Sequence, residues 1–220
     1  MNDLLSRQMI PARRLDRAQL ATGVRILARR DPALRAVVQR HGCPPLWARP
    51  ATFATLLRIV LEQQVSLASA RATFGRLQEA VLAVTPATVQ ALGPRGLMRL
   101  GFTRQKAGYA CALADRLLCR GLRLAALHRW SDAAVREELM RVPGIGHWTA
   151  DIYLLMALRR PDVWPVGDLA LHRSLERVYG LPRLPSAEEA SAIARRWIPW
   201  RAVAARILWH AYLSERGPGR

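Results

Sequence analysis

Apolar residues recur at intervals of three and four along most of this chain, as in Phe53, Leu56, Leu57, Val60, Leu61 and Val65, and no stretch keeps a period of two. That spacing lines one face of an α-helix, so an all-α fold is expected. Breakers cut the pattern at Asp31-Pro32, Pro44-Pro45, Arg49-Pro50, Thr85-Pro86, Gly93-Pro94, Pro143-Gly144, Arg160-Pro161 and from Gly180 to Pro185. Proline and glycine both disfavour a helix interior. Between them the sequence predicts helices near 16–29, 32–41, 51–62, 66–83, 86–92, 94–100, 104–120, 131–141, 147–159, 168–179, 186–197 and 199–214, with 1–15 and 217–220 frayed.

The 220 residues carry 34 Lys+Arg against 16 Asp+Glu, a formal net charge of +18. Lys106 is the sole lysine. A GC-rich genome accounts for arginine replacing lysine but not for the net charge. With 51% hydrophobic residues the chain can bury a core, which excludes a disordered basic tail. A polyanion is the expected partner, nucleic acid ahead of an anionic membrane surface, because guanidinium groups meet phosphate oxygens two at a time and stack on bases. From Pro32 to Ala114 ten cations stand against two acids, Glu62 and Glu79. That segment is either a phosphate-facing side or a set of scattered, solvated arginines.

Cys43, Cys111 and Cys119 are odd in number and lack paired spacing, so no disulfide framework, zinc site or four-cysteine iron–sulfur cluster is expected. A reducing cytosol fits that cysteine usage; with a prokaryotic origin assumed, a cytoplasmic, nucleoid-associated protein is expected. The longest apolar run, near Leu154 to Leu158, falls short of the roughly 18 residues of a membrane helix, and Asp3 and Arg7 interrupt any signal peptide. His41, His128, His172 and His210 are too scattered to suggest a metal site or a triad.

The chemistry is concentrated between Ser131 and Leu175. Ser131-Asp132 opens a predicted helix through Arg141, Val142-Pro143-Gly144-Ile145-Gly146 links it to a second, and that second helix starts at His147. Such a tight helix–hairpin–helix leaves N–H groups open at Gly146, His147 and Trp148, and glycine lets a phosphate reach the backbone. A plain helical hairpin within a core fits the same residues. Twenty residues past Trp148, Asp168 follows Pro165 and Gly167 at a predicted helix start, where N-capping is the commonest role for Asp.

VPGIGHWTADIYLLMAL followed by DVWPVGDLAL resembles the hairpin, Gly/Pro-rich loop and Asp signature of the HhH-GPD superfamily of base-excision DNA glycosylases. The likeness is greatest to its AlkA-type 3-methyladenine DNA glycosylase II family. Ile59 to Ser66 is similar to that family's QQxS motif, and Leu100 to Tyr109 and Arg196 to Arg201, leading to Trp209, match in order.

The resemblance implies two helical subdomains, 51–160 with the hairpin and 16–50 plus 161–216 with Asp168, and an active cleft between them. It makes Asp168 the catalytic carboxylate. Gln64 becomes the wedge that fills the hole left by a flipped base and Gln63 a pocket wall, an exposed polar surface being the other reading of both. Trp148, Ile152 and Trp209 become candidates for the pocket, with core packing as the alternative for the tryptophans. Gly144, Gly146, His147 and Thr149 would contact DNA, and the backbone carbonyls of Met140, Val142 and Ile145 would hold a Na or K ion. Trp148 stands where the bifunctional branch carries its Schiff-base lysine, so no abasic-site lyase activity is expected.

The expected function is that of a monomeric, monofunctional glycosylase that flips alkylated bases of the 3-methyladenine type out of duplex DNA and leaves an abasic site. No iron–sulfur cluster, zinc, catalytic cofactor or membrane association is expected, nor, at this length, the N-terminal mixed α/β domain of longer AlkA-type proteins. The alternatives are a glycosylase for oxidised or mismatched bases and a non-catalytic helix–hairpin–helix damage-binding protein. A binder of ribosomal RNA or anionic membrane rests on charge alone.

Overall fold

The computed structural model describes residues 14–119 and 121–216. In chain order its helices are α1 (Arg17–Arg30), α2 (Pro32–His41), α3 (Phe53–Glu62), α4 (Leu67–Ala80), α5 (Pro86–Arg99), α6 (Arg104–Leu118), α7 (Asp132–Met140), α8 (His147–Met156), α9 (Leu169–Tyr179), α10 (Ala187–Ala194) and α11 (Arg201–Arg216). Short 3-10 turns lie at Leu124–Arg129 and Arg195–Trp197, and no strand occurs among the described residues.

The helix starts follow from their caps. Thr52, Ser66, Thr103, Ser131 and Ser186 each accept a backbone N–H from the first turn of α3, α4, α6, α7 and α10, and Asp16 and Asp31 do the same for α1 and α2. Each cap satisfies a donor that the helix itself leaves open. Within α5, Gly93 adopts φ 57° and ψ 179° ahead of Pro94, which breaks the helix in two. The break falls where Gly93-Pro94 predicts it.

The chain separates into two compact helical units, one spanning 49–153 and one whose described part is 14–48 and 154–216. The division falls inside α8, after Tyr153, rather than at residue 160. In the first unit α3 packs on α4 and α6, and α5 packs on α6. Its interior holds Leu56, Leu57, Ile59, Leu77, Leu97, Leu113 and Leu139. In the second unit α11 packs on α1, α2 and α9, burying Leu27, Leu34, Leu171, Leu175, Trp197 and Leu208.

Of the ends expected to fray, 1–13 and 217–220 lie outside the described residues. Leu15 is fully buried, and its N–H donates to the Arg159 carbonyl at 2.7 Å. No helix among the described residues is long and apolar enough to cross a membrane.

Candidate active site

In the first unit, the three-residue segment Gln63–Val65 joins α3 to the Ser66 cap of α4. Gln64 takes φ 55°, a left-handed conformation uncommon for a residue with a Cβ, and is exposed. Its neighbours Val65 and Leu67 are exposed as well, at 42% and 46%. Two anchors hold this turn. The Lys106 ammonium donates to the carbonyls of Leu61 at 2.6 Å and Gln63 at 2.8 Å, neutralising the negative end of α3. Burial pushes the Lys106 pKa below its ordinary value.

The second anchor is the Gln63 side chain. Its amide nitrogen donates to the Gly144 carbonyl at 2.8 Å and to the Thr149 hydroxyl at 2.7 Å. Gln63, expected as a pocket wall, thus ties the turn to the helix–hairpin–helix. Thr149, expected to contact DNA, is 1% exposed, so its hydroxyl serves the interior.

The hairpin itself is built from α7, the Val142–Gly146 link and α8. Val142 and Ile145 are buried, and the Ile145 N–H donates to the Val142 carbonyl at 3.1 Å. Gly144 has φ 84°, and a Cβ there would run into the Tyr109 ring. Glycine is required twice over at that position. A Cβ at Gly146 would meet nothing within 4 Å. Gly146 and His147 are exposed at the start of α8, Trp148 is partly exposed, and Ile152 is 2% exposed. The exposed helix start therefore presents backbone N–H donors to solvent, a geometry suited to phosphate.

The Arg-rich segment is less available to a polyanion than its composition suggests. Arg49 and Arg58 are bound to Glu62, Arg35 to the carbonyls of Ala28 and Arg29, and Arg76 to the carbonyl of Leu100. Arg71, Arg95, Arg99 and Arg104 are exposed.

In the second unit Asp168 caps α9. Its Oδ1 accepts the Leu171 N–H at 2.9 Å and the Trp209 indole N–H at 3.1 Å, and both Asp168 and Trp209 are 7% exposed. Two donors on one oxygen fix the plane of the carboxylate. The N-cap role expected of Asp168 is thus present. Trp209, expected as a pocket face, acts on the carboxylate through its N–H.

Residues 57–200 match the model of the HhH-GPD superfamily of base excision DNA repair proteins. The chain belongs to that superfamily. This HhH-GPD chain is 32% identical over 192 residues to the "probable bifunctional transcriptional activator/DNA repair enzyme AlkA" of Mycobacterium tuberculosis strain H37Rv, an alignment covering 81% of this chain and 37% of that protein. It is 28% identical over 195 residues to a DNA-3-methyladenine glycosylase of Bacillus subtilis strain 168, covering 83% of this chain and 64% of the relative. It therefore spans less than two thirds of either. Among solved structures, a DNA-3-methyladenine glycosidase from Bacillus halodurans is similar with a TM-score of 0.74 and 25% identity, over 89% of this chain and 91% of that one.

Two further residues of the HhH-GPD chain, not foreseen from its sequence, bear on the surroundings of Trp209. Trp47 makes an edge contact with Trp209, ring centroids 6.4 Å apart at 73°, and adopts φ 46°. Arg206 is fully buried and donates to three backbone carbonyls, Leu46 and Ala202 at 2.9 Å and Leu155 at 2.8 Å. Burial pushes its pKa down to about 9. Both left a trace in the sequence: Trp47 is the aromatic of a Pro-rich loop, and Arg206 interrupts the apolar run Ala202 to Leu208.

Proposed function

We propose that this chain is a monofunctional DNA glycosylase that releases alkylated bases of the 3-methyladenine type from duplex DNA and leaves an abasic site. The observation that carries the reading is the Asp168 carboxylate, buried yet held by the Leu171 and Trp209 N–H groups, in a chain of the HhH-GPD superfamily. The names of the relatives support the choice of alkylated bases.

Breaking an N-glycosidic bond builds positive charge on the sugar. A carboxylate about 4 Å away at an effective dielectric near 20 stabilises that charge by about 4 kcal/mol. This corresponds to roughly a thousandfold in rate. The same carboxylate can orient or deprotonate the attacking water. An alkylated purine already carries positive charge and leaves readily, so the protein has little acid catalysis to supply.

The hairpin holds the duplex by its backbone, independently of sequence, through the N–H groups opening α8 at Gly146 and His147. The exposed turn at Gln64 is the wedge that occupies the space vacated by the flipped nucleotide. The carbonyls of Met140, Val142 and Ile145 are neutral oxygen donors, the chemistry that a Na or K ion takes. Val142 spends one lone pair on the Ile145 N–H and keeps the second. Such an ion would add positive charge for a DNA phosphate.

Strand cleavage through an imine needs a free amine. The sole lysine, Lys106, has its ammonium committed to the carbonyls of Leu61 and Gln63, which supports release of the base without cleavage of the strand.

The test is release of a single alkylated or etheno adenine from a duplex oligonucleotide by wild type and Asp168→Asn, with and without later alkali. Breaks that appear only after alkali, and only with wild type, are expected. Tight duplex binding without release of any base would replace this reading with that of a damage-binding protein. A high yield of protein–DNA adduct on borohydride reduction would contradict the monofunctional assignment.

A further inference from the structure

The second unit contains a strained residue that the reaction above does not use. Trp47 sits at φ 46°, a conformation that costs a bulky L-residue about 1–2 kcal/mol. Such a conformation persists only where its surroundings impose it. Here the imposition is visible. Arg206 donates through Nε to the carbonyl of Leu46, the residue immediately before Trp47, and its other nitrogens reach the carbonyls of Ala202 and Leu155. A guanidinium that is fully buried and directed at carbonyls alone is a costly way to hold a loop.

What the loop gains is the placement of one ring. The Trp47 indole makes edge contacts with Trp209 and with His210, at centroid distances of 6.4 and 6.3 Å. Trp209 is the residue whose indole N–H donates to Asp168. Arg206 and Trp209 lie three residues apart on α11, close to one helical turn. One helix therefore grips the Leu46–Trp47 backbone with one side chain and the Asp168 carboxylate with another, and Trp47 lies against the second.

We infer that Trp47 is a positioning residue for Asp168: it fixes the Trp209 ring so that its N–H stays on the carboxylate, and the Arg206 clamp on Leu46 holds Trp47 in place for that purpose. The inference rests on the reading of Asp168 as the carboxylate that acts on the sugar. It also predicts a property of the free protein that does not depend on that reading.

The experiment has two arms. In the first, hydrogen exchange of the Trp209 indole N–H is followed by NMR in DNA-free wild type, Trp47→Leu and Trp47→Phe. Exchange about tenfold faster in Trp47→Leu, with wild-type protection restored in Trp47→Phe, is expected; equal protection in all three proteins overturns the inference whatever the enzyme does. In the second, base release is measured under single-turnover conditions. The maximal rate of Trp47→Leu is expected to fall by about ten- to a hundredfold, as for a misplaced catalytic group, while the enzyme concentration giving half that rate stays unchanged and Trp47→Phe recovers most of the loss. In a Trp209→Phe background, Trp47→Leu should slow the reaction no further. An additive loss there, or a loss confined to DNA affinity, sinks the positioning role and leaves the reading of Asp168 intact. No release by wild type sinks that reading instead, with the exchange arm still deciding whether Trp47 fixes Trp209.

Discussion

The Gln63 amide nitrogen lies 2.7 Å from the Thr149 hydroxyl, joining residues 86 positions apart in sequence. Through this bond the turn that carries Gln64 and α8, the second helix of the hairpin, are held as one piece. Truncating Gln63 to Ala removes this bond and the one to Gly144, and is expected to cost about 1–3 kcal/mol in urea unfolding. Combined with Thr149→Val, the loss should be less than additive by about 0.5–1.5 kcal/mol. Strict additivity would mean that the bond contributes nothing.

The two hairpin glycines should separate cleanly. Gly144→Ala meets both a φ of 84° and the Tyr109 ring, and is expected to lose about 2–4 kcal/mol of stability. Adding Tyr109→Ala should recover part of that loss. Gly146→Ala has open space around its new methyl group and should unfold within about 0.5 kcal/mol of wild type. Its duplex affinity, read by fluorescence anisotropy, should nonetheless fall, because on the proposed function the methyl would stand where a phosphate approaches the backbone.

Lys106 caps the carbonyl end of α3. Lys106→Met leaves the carbonyls of Leu61 and Gln63 without that cation and is expected to destabilise by about 1–3 kcal/mol. The larger effect should be local. Amide exchange of Gln64 and Val65 should accelerate more than that of α5, whose packing on α6 does not depend on the ammonium.

Asp31 gives a pH signature. Burial alone would raise its pKa, but hydrogen bonds from Tyr179, Trp197 and the Leu34 N–H, with the charge of Arg196, bring it below its ordinary value of 3.8. A lowered folded pKa means that its contribution is complete above about pH 4 and is lost as pH falls through the folded value. Asp31→Ala removes the α2 cap and strands the Tyr179 hydroxyl and the Trp197 indole, so it should cost about 2–4 kcal/mol at neutral pH. The gap from wild type should stay flat down to about pH 5 and narrow below about pH 4. A gap that widened on acidification would reverse the sign.

Helix order could be read directly from the sequence because each break has a local cause. Gly93-Pro94 splits α5, and Ser131 and Asp168 cap the helices they precede. The 3-10 turn at Leu124–Arg129 escaped, since it has no side-chain cap and is too short to show a period. The tethering role of Gln63 and the Arg206 clamp escaped for a different reason. Their partners lie 81, 86 and 160 residues away, and a side chain's partner at that distance is set by packing rather than by neighbours in sequence. The resemblance placed Asp168 and Trp209 in the site but could not say that one holds the other.

The turn at Gln64 enters from a residue fixed twice, at its carbonyl by Lys106 and at its side chain by Gly144 and Thr149, and leaves into a helix capped by Ser66. Its conformational entropy is surrendered when the protein folds rather than when it meets DNA. Ordering a free backbone residue costs about 1–2 kcal/mol, and a protein that scans a long excess of undamaged duplex would meet that cost at every trial insertion. If Gln64 is the wedge proposed above, a turn already set in shape would make each trial brief and leave the deformability of the base pair to determine where insertion succeeds.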